Sequence, residues 1–181
     1  ATRPINPPVT SVDATKGYRF ETRQATQSRT GKENMVILAF SGGGTRAAAF
    51  SYGVLEFLKN TEIVNPQGNT VRLIDSVDVI TGVSGGSFTA LAYGLYGDKL
   101  FDMYEDAFLK RNIQGEIISR TFSPANWSNL LSAQWGRSEL ASQLYDEVLF
   151  KGATFGDLQR GKGPMILASA TDISTGSRFV F

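Results

Sequence analysis

The chain has 181 residues, 41% hydrophobic and 19% charged, which is the make-up of one globular domain with a sizeable core rather than a disordered tail. A formal net charge of +1, with no Lys/Arg stripe along any expected helix, excludes an electrostatic footprint for nucleic acid. Cysteine and histidine are both absent, so no thiolate or imidazole metal site is expected, no cofactor is expected, and any hydrolase here works without a histidine base.

Residues 1–34 hold three of the six prolines (Pro4, Pro7, Pro8) among many Thr, Gln and Arg, and read as an extended, weakly packed arm. At Met35 the pattern changes to the apolar run Met35–Phe40, which suits a strand buried on both faces of a parallel sheet. Its length is far below the roughly 18 residues of a membrane span. Gly42, Gly43 and Gly44 end it, and Phe50, Val54, Phe57 and Leu58 then recur at helical spacing to Asn60. The same logic repeats: Ser76–Thr81 is β-branched and strand-like, Gly82–Gly86 turns, and Phe88, Leu91, Ala92 and Leu95 mark a helix that Gly97 stops. Leu100–Arg111 carries Phe101, Tyr104, Phe108 and Leu109 on one side, and Ser138 is an expected N-cap for a helix over Glu139–Phe150. Pro164–Ala170 reads as a buried strand, and Arg178–Phe181 begins another after a turn. Strands alternating with helices indicate an α/β domain with a mainly parallel sheet.

Gly82-Val83-Ser84-Gly85-Gly86 fits G-x-S-x-G between an expected strand and helix, the context of a nucleophile elbow. Ser84 would be the nucleophile, in a strained turn that its flanking glycines Gly82, Gly85 and Gly86 make room for. A glycine-rich turn without chemistry is the plain alternative for the pentapeptide alone. The loop Gly42-Gly43-Gly44 opens a helix with bare backbone amides, the donors that an acyl-transfer oxyanion needs, with Gly43 and Gly44 preferred. That loop also satisfies G-x-G-x-x-G/A through Ala47, so a dinucleotide-binding oxidoreductase is the alternative function. The alternative expects an acidic residue ending the next strand; Glu62 and Asp75 are poorly placed for it, and Ser84 is left without a role.

Ser41-Gly42-Gly43-Gly44-Thr45-Arg46, followed one helix and one strand later by Gly82-Val83-Ser84-Gly85-Gly86, resembles the patatin-like phospholipases. Ala153–Leu158 and Ala170–Gly176 are similar to stretches that follow the elbow in bacterial members. The resemblance implies a three-layer α/β/α domain and a serine lipid acyl hydrolase of phospholipase A or esterase type. Ser84 would form an acyl-enzyme, the Gly42–Gly44 loop would make the oxyanion hole, and an aspartate would be the base of a Ser-Asp dyad. Lipid or phospholipid is the implied substrate, with peripheral membrane contact. Arg46 would orient an anionic head group or support the loop, a surface arginine being the plain alternative.

Two departures stand out: Ala47 occupies a position usually held by glycine, and no Asp-Gly dipeptide, the family's setting for its aspartate, occurs anywhere. Residues 35–181 are therefore expected to be the N-terminal part of the catalytic domain, truncated at the C-terminus, with a further segment or chain supplying the aspartate. Asp172 is an expected turn residue and Asp157 a solvated or capping one, neither a favoured base. Trp127, Trp135, Phe122 and Ile117-Ile118 form either a lipid-facing lid or, by preference, ordinary core. Arg3–Pro8 and Gly17–Phe20 resemble the region after the lipidated cysteine of envelope lipoproteins, so a membrane-associated, extracytoplasmic place in a bacterial envelope is expected.

Overall fold

A computed structural model describes residues 10–26, 34–123 and 137–181. The first β-branched run forms β1 (Val36–Phe40), and helix α2 (Gly44–Asn60) follows at once. A hairpin that periodicity did not reveal, β2 (Glu62–Val64) with β3 (Thr70–Arg72), leads to β4 (Val77–Val83) and α3 (Gly85–Tyr96). Next come α4 (Leu100–Tyr104), which runs on as a π-helical turn to Leu109, and α5 (Ile113–Phe122). Then α6 (Arg137–Tyr145) continues as a second π-helical turn to Phe150, ahead of α7 (Phe155–Arg160), β5 (Met165–Thr171) and β6 (Arg178–Val180). Because α6 already includes Arg137, Ser138 lies inside the helix and does not cap it.

The sheet order is β1-β4-β5-β6, parallel from β1 through β5 with β6 antiparallel, and helices flank it, as expected of a three-layer α/β/α domain. Leu38, Ile80 and Ile166 share one register row and face the helices, with Ile80 and Ile166 fully buried. The expected two-sided burial of the first strand fails: exposure alternates along β1, and Ile37 is 55% exposed, because among the described residues helices cover only the Leu38 face of this strand. Of the four apolar residues whose spacing marked α2, Val54 and Leu58 pack against the core. Ala48, Ser51, Tyr52 and Leu55 are buried, whereas Phe50 and Phe57 are 76% and 65% exposed. Likewise Ile118 and Phe122 on α5 are exposed rather than core, and Trp127 and Trp135 lie outside the described residues. Among the described residues no helix is long and apolar enough to cross a membrane.

The arm read as extended contains a helix, α1 (Phe20–Thr26), too short to persist alone. Arg23 holds it. At 2% exposure its guanidinium donates to the carbonyls of Leu158 (2.6 Å) and Gly161 (2.8 Å) and also to that of Gly163, where α7 ends and the chain enters β5. The Tyr18 hydroxyl accepts the Ile166 N–H at 2.6 Å, tying the same arm to β5 itself. Replacing Arg23 by alanine strands several carbonyls beside a cavity, and is expected to cost about 3 kcal/mol of stability in urea unfolding. Arg23→Lys should recover less than half of this, since one ammonium cannot serve a fork of carbonyls.

Candidate active site

The site starts from strand register. Phe40 pairs with Gly82, so Gly42 and Ser84, each two residues further on, leave the sheet side by side at the carboxyl ends of adjacent parallel strands. This edge is where open α/β sheets hold their ligands. Ser84 is exposed and sits at φ 49° and ψ −120°, a region that disfavours side chains and costs on the order of 1–3 kcal/mol. It stands at the N-cap of α3 yet its side chain makes no capping bond. The exposed hydroxyl is thereby not spent on its own helix.

The glycines are explained by close approach between the two bends. A Cβ on Gly42 would lie 3.3 Å from the Ser84 Cβ, and one on Gly85 would lie 2.0 Å from the Gly44 carbonyl oxygen. Gly86 is packed against Phe40 and Ser41, and Gly82 against Ser87, where an added Cβ would come within 2.7 Å and 2.6 Å of neighbouring atoms. The structure thus brings together Ser84, Gly82, Gly85, Gly86 and the Gly42–Gly44 loop. Gly43, at φ 142°, caps α2 without a side chain, so the first amides of that helix stay uncovered.

Two helix N-termini converge here, and neither α2 nor α3 has an acidic residue in its first turn to offset its positive end. Arg46, exposed in the first turn of α2, adds a further positive charge where a helix disfavours one. The arrangement favours negative charge developing at the Ser84 side of the loop.

Below the bends a buried clamp fixes the two helices. The Thr89 Oγ1 of α3 donates to the Ala48 carbonyl of α2 at 2.9 Å and lies 2.9 Å from the Tyr104 hydroxyl of α4. With the threonine proton committed to Ala48, Tyr104 is the donor to Thr89. Both residues are fully buried, and burial raises the Tyr104 pKa, so the phenol stays neutral and able to donate. Sequence reading passed over this pair; its one signal is a lone hydroxyl between Phe88 and Ala90. Thr89→Val leaves the Tyr104 hydroxyl without its acceptor and takes from the Ala48 carbonyl the bond that ties α2 to α3, and is expected to cost about 2 kcal/mol in chemical denaturation.

Neither chain aspartate named above is free to act as base on Ser84. Asp157 accepts from the Thr154 N–H and Oγ1, each at 2.8 Å, in a capping box on α7, and pairs with Arg160. Asp172 accepts from the Ser174 hydroxyl at 2.6 Å and the Ser174 amide at 2.8 Å in the β5–β6 turn. The Thr154 amide and hydroxyl hold Asp157, and the Ser174 hydroxyl and amide hold Asp172, below the usual carboxylate range.

The family model for patatin-like phospholipases matches residues 38–172, from within β1 to the turn after β5. The chain belongs to the patatin-like phospholipase family. The patatin-like match spans both glycine bends and the clamp beneath them. Among solved structures, human GIVD cytosolic phospholipase A2, in complex with a methyl gamma-linolenyl fluorophosphonate inhibitor and terbium chloride, is similar at 21% identity and a TM-score of 0.46. That similarity covers 81% of this chain and 23% of the human chain. No curated protein matches.

Proposed function

We propose that residues 35–181 are the nucleophile-bearing, N-terminal part of the catalytic domain of a serine lipid acyl hydrolase of phospholipase A or esterase type, with residues 1–34 as a preceding arm. The Ser84 Oγ attacks the ester carbonyl carbon, the carbonyl oxygen takes up negative charge against the amides of the Gly42–Gly44 loop, and the leaving alcohol takes a proton as the ester bond breaks. Water then cleaves the acyl-Ser84 ester. The base is an aspartate outside this chain, completing a Ser-Asp dyad that needs no imidazole. One observation supports this reading above others: Gly42 lies against the Ser84 Cβ and Gly85 against the Gly44 carbonyl, so the exposed Ser84 stands on a bend in contact with the loop that opens α2.

Arg46 is positioned on this reading to meet the anionic part of a phospholipid, and peripheral contact with a lipid surface accompanies it. Phe50 and Phe57, exposed one and three turns further along α2, are residues that suit such a surface. The dinucleotide alternative gains no support. The strand after α2 belongs to a separate antiparallel hairpin, so Glu62 does not end a second parallel strand, and Asp75 is bonded to Arg72.

A fluorophosphonate probe tests the proposal, because it forms a P–O bond to an activated serine and expels fluoride. The full-length protein is expected to be labelled on the peptide carrying Ser84. Labelling elsewhere, or none together with tight NAD(P) binding, would overturn the assignment.

A further inference from the structure

The outer edge of β5 is closed by two different partners. Along its upper half β6 supplies the bonds: Ala170 pairs with Phe179, and Ala168 exchanges both of its main-chain bonds with Phe181, at 3.3 and 2.8 Å. Bonds along one edge of a strand recur at every second residue, so the next group on this edge is the Ile166 N–H. It donates instead to the Tyr18 hydroxyl of the arm at 2.6 Å. A side chain thus takes the place that a strand prolonging β6 in the same register would occupy.

Stacking and charge fix the arm there. The Tyr18 ring lies against Phe155 of α7 with centroids 5.6 Å apart, and the Arg23 guanidinium stands 5.6 Å from the centre of the same ring while it bonds the carbonyls where α7 ends. What the arm grips is also what α3 rests on. A Cβ on Gly94 would collide with the Ile166 side chain and lie 3.0 Å from that of Leu158, and one on Gly161 would lie 3.4 Å from the Gly94 carbonyl oxygen. Leu158, Gly161 and Ile166, each bonded through its main chain to the arm, therefore form the seat of the helix that carries the Ser84 bend at its other end.

We propose that Tyr18 and Arg23 form a latch: the tyrosine shuts the free edge of β5 against a strand from a second copy of this chain, and the arginine locks the tyrosine in place. An open edge is a template for pairing with another chain, and covering it with a loop is one way to blunt it. The strand a second copy would offer is β1. Among the described residues β1 lies at the other end of the sheet with no strand on its outer side, and it exposes Met35 and Ile37 around its start. One β1 edge meeting one β5 edge is a head-to-tail contact, which can repeat from copy to copy.

Hydrogen exchange of single amides in the full-length protein tests the latch. Ile166 and Leu167 are chain neighbours whose N–H groups face opposite edges of β5, Leu167 toward β4. Tyr18→Phe is expected to raise the ratio of Ile166 to Leu167 exchange at least tenfold; a merely structural tyrosine would speed both amides together and leave the ratio unchanged. The double variant Tyr18→Phe, Arg23→Ala should add concentration-dependent self-association in sedimentation velocity, absent from the unaltered protein at the same concentration. An unchanged exchange ratio in Tyr18→Phe would overturn the latch. A raised ratio with a double variant that folds and shows no self-association would overturn the guard against a second copy.

Discussion

Ser84→Ala is expected to lower ester hydrolysis by the full-length protein on the order of 10⁴-fold or more and to abolish fluorophosphonate labelling. Within the elbow itself no other group can substitute. The chain has no cysteine, and the nearest hydroxyl of the elbow, Ser87, has its Oγ buried and facing no partner. The same position makes a second, opposite forecast for stability. Since alanine keeps a Cβ at φ 49°, it retains the backbone strain, whereas Ser84→Gly releases it. The glycine variant should be more stable than the alanine variant by about 1 kcal/mol in urea unfolding, although both are inactive. A glycine variant no more stable than the alanine one would mean that the turn is not held under strain.

Gly85→Ala is expected to have the next largest effect, at least about 10²-fold on the rate of labelling at Ser84. Its added methyl carbon would sit 2.0 Å from the Gly44 oxygen, and the obstacle is backbone on both sides, so one bend must retreat from the other. Hydroxyl and amides then lose their common position, and overpacking costs about 3 kcal/mol as well. Gly53→Ala supplies the contrast. Gly53 lies in the middle of α2 with nothing within 4 Å of an added Cβ, so this variant should be neutral or slightly stabilising and should label normally. Equal labelling rates for Gly85→Ala and Gly53→Ala would contradict the contact between the bends.

The strand-turn-helix units were legible because β-branched runs and glycine clusters are local signals, and β1, α2, β4 and α3 lie close to where they were expected. Pairing was not legible. That Phe40 stands opposite Gly82 depends on residues far apart in sequence, and it is this match that sets Gly42 beside Ser84. Hydrophobicity alone did not tell the two faces of α2 apart, since Val54 and Leu58 pack against the core while Phe50 and Phe57, the bulkiest apolar residues there, are exposed and Ala48, Tyr52 and Leu55 are buried. Arg23 gave no signal at all. Its partners are carbonyl groups, which every residue has, so nothing in residue type marks the arm as anchored.

The Phe40–Gly82 pairing also governs which changes of length the chain can absorb during evolution. One residue inserted within β1 would advance the first loop by about 3.3 Å and turn each following side chain to the opposite face. The β2–β3 hairpin, which pairs only with itself, can lengthen without moving either bend. Insertions among natural variants should therefore gather at that hairpin and spare the two parallel strands.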